Sequence, residues 1–185
     1  MTEDFYPMNF GGETVKSEYQ MEQIRACKKL EPQNVKYIVI HCSATPWGQD
    51  LTLEALYNEH VNRRRFIKIG YHYYIRRDGT KYQTRELNEV GAHCKPWNSC
   101  SIGVCYEGGL LPNGKPGFTL TDAQEAAMCG LLVELQNKFP NARIKGHRDM
   151  PGATNKACPC FDAERHFRGI LLYDPKINYW TGKDD

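Results

Sequence analysis

The sequence predicts an α/β domain, a mixed central β-sheet flanked by helices, and three observations carry that expectation. The short apolar runs Tyr37–Ile40 and Ser101–Tyr106 read as buried strands. The tight turn Arg77-Asp78-Gly79-Thr80 joins two extended runs as a hairpin. From Thr121 a helical period takes over, with Met128, Leu131, Leu132, Leu135 and Phe139 on one face. Strands and helices alternate around one hairpin, which is the pattern of a mixed sheet with helices on its faces.

The 185 residues suffice for one domain with a real core and an appendage. A net charge of +2 does not argue for a nucleic-acid partner. No window approaches the apolar length of a membrane span. The start, Met1-Thr2-Glu3-Asp4-Phe5, lacks the basic and apolar regions of an export signal, so a cytoplasmic protein is expected. The eight cysteines, at 27, 42, 94, 100, 105, 129, 158 and 160, then read mostly as buried thiols in a reducing compartment. No C-x-x-C pair is present. A redox dithiol at Cys158 and Cys160 would need a strained, tight loop.

Residues 1–34 are polar, carry Pro7, Gly11, Gly12 and Pro32, and read as an extension with a short helix from Ser17 to Leu30. The domain is expected over 35–172, with a tail over 173–185. Tyr37–Ile40 is the central strand and delivers His41 at its C-terminal end, where α/β sheets place their chemistry. A loop from Cys42 to Asp50 precedes a helix from Thr52 with Leu53, Leu56, Tyr57 and His60 on one face. It ends in Arg63-Arg64-Arg65, cations suited either to an anion or to a helix C-terminus. Tyr71–Arg76 is the outgoing hairpin strand and Lys81–Thr84 the return. Gly91-Ala92-His93 and Asn98-Ser99 are loop, and Leu111–Gly117 is a surface excursion after the strand closed by Gly108-Gly109. Thr121-Asp122-Ala123-Gln124 fits a capping box, and Pro140 stops the long helix. Arg143–Gly146 is a short strand leading into His147, and Asp162 caps a last helix with Phe167, Ile170 and Leu171 inward.

The chemistry gathers around Gly146-His147-Arg148-Asp149 and Lys156-Ala157-Cys158-Pro159-Cys160. A loop with Pro151 and Gly152 can return Cys158 to the side of His147, and imidazole and thiolate are ligands that Zn²⁺ favours. His41, at the end of another strand, is a third ligand candidate. Three protein ligands leave a fourth position open, as in catalytic zinc sites. One thiolate and two neutral imidazoles leave the site with a residual charge of roughly +1, enough to polarise a carbonyl and to bring a water toward a pKa of about 7. Tyr71 can present its phenol to such a site, and Lys156 can face the negative charge that develops as an amide is attacked. Taken singly, each of these residues has a structural reading, as a core histidine, a packed aromatic, a buried thiol or a solvated lysine.

The motifs His41-Cys42-Ser43-Ala44-Thr45, Gly70-Tyr71-His72, Arg77-Asp78-Gly79-Thr80, Gly91-Ala92-His93, Asn98 with Ser101-Ile102-Gly103-Val104, and Lys156-Ala157-Cys158-Pro159 occur here in one order. Over roughly residues 35–172 the chain resembles the type-2 N-acetylmuramoyl-L-alanine amidases, most closely the small zinc endolysins of tailed phages, which share their fold with the peptidoglycan-recognition proteins. The resemblance implies one Zn²⁺ held by His41, His147 and Cys158, with Tyr71 and Lys156 assisting catalysis. It implies as substrate the amide between the lactyl group of N-acetylmuramic acid and L-alanine in peptidoglycan. His93, Asn98 and Ser101 are expected to line the groove and meet substrate, and His72 to be structural. Cys94 stands where some relatives carry a small residue. A monomer is expected, stored in the cytoplasm until lysis admits it to the wall. The alternative is a binding or regulatory module on the same fold, against which stand the filled ligand and assisting positions.

Overall fold

β-Branched and apolar residues fill the middle of the chain's central strand, β1 (Tyr37–Cys42), and leave it buried on both faces. The structure, a computed structural model, describes residues 29–153, 157–174 and 179–180. Cys27, Lys156, all but the last two residues of the expected Ser17–Leu30 helix, and most of the expected tail lie outside them. The strands after β1 are β2 (Thr45–Pro46), β3 (Tyr73–Ile75), β4 (Lys81–Gln83), β5 (Ser101–Tyr106), β6 (Gly109–Leu110) and β7 (Arg143–Gly146), followed by the separate pair β8 (Tyr173–Asp174) and β9 (Tyr179–Trp180). The main sheet runs β4-β3-β5-β1-β7. Its neighbours are parallel except for the β3–β4 hairpin, so the sheet is mixed, as the sequence predicts. The two-residue strands β2 and β6 pair in parallel beside it.

The period-2 alternation of a strand sorts β1 into two faces. Ile38, Ile40 and Cys42 join Ile102, Val104 and Ile144 in the main core. Onto that core the long helix α2 (Asp122–Lys138) lays Met128, Leu131, Leu132 and Leu135. Its N-terminus is the expected capping box: Thr121 Oγ1 accepts from the Gln124 N–H at 3.1 Å, and Gln124 Oε1 accepts from the Thr121 N–H at 3.1 Å. Buried Gln124 also donates to the carbonyls of Ile75 and Glu107, at 3.2 and 2.9 Å, which ties the helix start to the ends of β3 and β5. Leu30, read as the end of the extension, packs in this same core.

Val39 and His41 point to the opposite face. There Leu56, from helix α1 (Leu53–Tyr57), packs with Ile69, Tyr74 and Cys105. Thr52 caps α1 by accepting from the Ala55 N–H at 3.1 Å. The helix then widens into a π-helical turn over Asn58–Arg63. It carries His60 inward, where Nδ1 accepts from the Gly70 N–H at 3.0 Å.

Three elements differ from expectation. The strand read from Tyr71 begins only at Tyr73. A Cβ at Gly70 would lie 2.4 Å from the Ala92 carbonyl oxygen, so this approach segment presses against the 91–93 loop before the ladder begins. The returning strand ends at Gln83 rather than Thr84. The last helix is a single turn, α3 (Ala163–His166), followed by a 3₁₀ stretch over Arg168–Leu172. Gly169 is a weak helix former at that break. Asp162 does cap it, accepting from the Arg165 N–H at 2.9 Å, and Phe167 is buried. The hairpin turn forms as expected, with Gly79 at φ +86°, a conformation natural only to glycine.

Candidate metal centre

The parallel register of β1 and β7 ends on the pair Ile40–Gly146. The next residue on each strand is a histidine, and the rings of His41 and His147 lie 4.5 Å apart. The chain turns sharply after Gly146, where a Cβ would lie 2.6 Å from Asp149 Oδ2 and 2.8 Å from Pro159 Cδ. That tightness lets the 157–160 loop close over the strand ends. Two bonds hold the loop there: the Arg148 N–H donates to the Cys158 carbonyl at 2.8 Å, and the buried Tyr106 hydroxyl donates to the Pro159 carbonyl at 2.6 Å.

Cys158 Sγ consequently sits 3.8 Å from His41 Nδ1 and accepts the Cys42 N–H at 3.2 Å. His41, His147 and Cys158 each bring a ligand atom to within 4.8 Å of the other two. A tetrahedral zinc with bonds of about 2.0–2.3 Å sets its ligands roughly 3.3–3.7 Å apart, so small side-chain movements complete the fit. His41 is buried, while His147 and Cys158 are half-buried, so a group held by the three would be reachable from solvent. The neighbouring Cys42 stays a thiol: its hydrogen bond to Cys158, and then burial, push its pKa up to about 12. Cys160 lies 3.8 Å from the Cys42 sulfur and donates to the Gly109 carbonyl at 3.1 Å. All cysteines among the described residues are free.

The Tyr71 ring packs against His41 and His60, at 5.1 and 5.3 Å between centroids. Burial, followed by the adjacent Cys105 thiol, holds its phenol well above the usual range, so it remains a neutral donor. His93, Asn98 and Ser101 lie behind His41. His93 Nδ1 is 3.0 Å from His41 Nε2. Asn98 Oδ1 accepts the main-chain N–H groups of His93 and Cys94, at 2.9 and 2.7 Å. Ser101 is wholly buried, with its hydroxyl oxygen 3.5 Å from His93 Nε2. Burial pushes the His93 pKa well below 6.5, against the pull of a hydrogen bond to the Ser101 main chain.

His72 has the structural role expected of it. Its Nδ1 accepts from the Gly103 N–H at 3.0 Å, so Nε2 donates to the Glu89 carbonyl at 2.9 Å. Arg63 and Arg64 pair with Glu59 at 3.0 and 2.8 Å on the surface. Sequence reasoning missed what surrounds the three ligand candidates: the Cys42 main-chain donor, the Tyr106 clasp, and His60 beneath Tyr71. The adjacency His41-Cys42 carried a hint, since the residue after a strand-end ligand places its N–H beside the same site.

Residues 31–161 match the family described as N-acetylmuramoyl-L-alanine amidase. The endolysin of Enterobacteria phage K11 is 38% identical over 133 residues, which are 72% of this chain and 85% of that protein. Peptidoglycan recognition protein 1 of Bos indicus is 32% identical over 130 residues, 67% of each chain. Among solved structures, the endolysin amidase LysCS from Clostridium intestinale is similar with a TM-score of 0.58 at 30% identity, covering 71% of this chain and 78% of that one.

Proposed function

Since the chain belongs to the N-acetylmuramoyl-L-alanine amidase family, an enzyme family acting on peptidoglycan, we propose that it cleaves the lactyl–L-alanine amide with one zinc ion held by His41, His147 and Cys158. The convergence of those three ligand atoms within 4.8 Å is the observation that carries the reading. A bound zinc would supply a Lewis acid for the carbonyl and a water acidic enough to lose its proton near neutral pH.

The chain's own groups do the rest. Cys158, held in place by the Cys42 N–H, and the two imidazoles would be the groups that hold the ion. Tyr71, neutral and packed on His41, holds the attacking water or passes a proton to the departing amine. Lys156, two residues before Cys158 in the sequence, balances the negative charge that develops on the carbonyl oxygen. Water adds to the carbonyl carbon, the C–N bond breaks, and a lactyl carboxylate and the free amine of L-alanine result. The biological setting is host lysis of phage or prophage type, by a monomer kept in the cytoplasm until it is released to the wall. Among the described residues no helix is long and apolar enough to cross a membrane.

Mass spectrometry of muropeptides after digestion of purified sacculi with metal-loaded and metal-stripped protein tests both halves. The expected products are stem peptides with a free L-alanine amine and glycan with free lactyl groups, formed only with metal. Cleavage of a glycosidic bond, or undiminished cleavage after chelation, would overturn the assignment. A second reading, a peptidoglycan-binding module, draws on the 32% identity with peptidoglycan recognition protein 1. It predicts binding to sacculi with no new ends formed.

A further inference from the structure

The hydrogen bonds behind His41 run in one direction, set by an atom that can only accept. The Ser101 hydroxyl lies 2.7 Å from the Trp97 carbonyl oxygen, so it donates there. Its oxygen then offers lone pairs to His93 Nε2, 3.5 Å away. Nε2 is therefore the protonated nitrogen of His93, and Nδ1 is its acceptor. His41 Nε2, 3.0 Å from that acceptor, must donate to it. The His41 proton thus resides on Nε2, and Nδ1 presents its lone pair on the side where Cys158 Sγ lies, 3.8 Å away.

The His93 ring is built in. A Cβ at Gly91 or at Gly103 would lie 2.5 Å from its ring carbons, so two glycines from different segments form the slot it fills. Asn98 Oδ1 fixes the main chain on either side of the His93 carbonyl. We infer that His93 is a positioning residue: an imidazole, pinned by Ser101 and the Trp97 carbonyl, that fixes the tautomer and aim of His41 and so prepares its Nδ1 to bind metal. This rests on the proposed metal site, but the tautomers it requires belong to the metal-free chain as well. The usual partner behind a metal-bound histidine is a carboxylate, a carbonyl or a water. An imidazole can replace them only if its own proton is held at the far nitrogen, and the Ser101–Trp97 contact does that.

Nitrogen-15 NMR of the metal-free full chain separates protonated from bare imidazole nitrogens. The expected result is an Nε2–H tautomer for both His41 and His93; an Nδ1–H tautomer at either overturns the relay, whether or not the chain takes metal. Competition with a chromophoric chelator then gives zinc affinity. His93→Phe keeps a ring but removes the acceptor, and should weaken zinc binding by about 10- to 100-fold. His93→Asn, whose Oδ1 sits near the position of Nδ1, should recover most of that loss. Wild-type affinity in His93→Phe, or equal losses in both variants, contradicts the inference. If His93→Phe does not fold, the tautomers of the native chain decide. A wild-type chain that takes no zinc removes the metal site and leaves the tautomer result to stand or fall alone.

Discussion

Cys158 is the residue on which most of the proposed chemistry turns, because it is the one sulfur among the three ligand candidates and sits on a loop rather than a strand. Cys158→Ser replaces an ionisable thiol with a hydroxyl that stays protonated near neutral pH. Zinc affinity should fall by more than ~100-fold, beyond the cost of losing an outer partner, and hydrolysis should vanish with it; retention of both removes the thiolate from the site. Lys156→Ala should leave zinc binding intact and lower kcat on the order of 10²- to 10³-fold. A variant that changes only KM would show that the lysine binds substrate without stabilising developing charge. His41 and His147 were legible as ligand candidates because each follows a short strand run. The role of His93 was not, because its partner is 52 positions away and its slot is formed by Gly91 and Gly103, neither of which signals a ring contact locally.

At the scale of elements, locally encoded features were the readable ones. The α2 capping box and the Gly79 turn rest on residues a few positions apart, and both form as their sequences dictate. The π-helical turn after α1 and the β2–β6 pair depend on distant partners, Gly70 for His60 and Gly109 for Thr45, so no local pattern announced them. Thr121→Ala removes the acceptor for the Gln124 N–H and the donor to the Arg77 carbonyl at 2.7 Å. Urea unfolding should show a loss of about 1–2 kcal/mol with an unchanged m-value. A loss below a few tenths would mean that α2 is held by its apolar face alone.

For the molecule as a whole, the sheet separates two tasks: one face carries the α2 core, and the other carries α1, Tyr71, His41, His60, His72 and His93. Burial on that second face leaves a pH signature. His60 and His72 have folded-state pKa values of about 4, against an ordinary 6.5, with burial as the leading cause. As pH falls, the unfolded chain takes up these protons first. The stability each neutral histidine contributes is therefore complete above 6.5 and is lost between 6.5 and 4, on the order of 3 kcal/mol per histidine at the limit. Chemical unfolding of metal-free protein should give markedly lower stability at pH 5 than at pH 7.5; a flat profile across that window contradicts the buried, neutral assignment.

X-ray absorption at the zinc edge of the metal-loaded chain examines the proposed centre most directly. Two nitrogen scatterers at about 2.0 Å, one sulfur at about 2.3 Å and one further light atom are expected. A first shell without sulfur, or with two sulfurs, would contradict a zinc held by His41, His147 and Cys158.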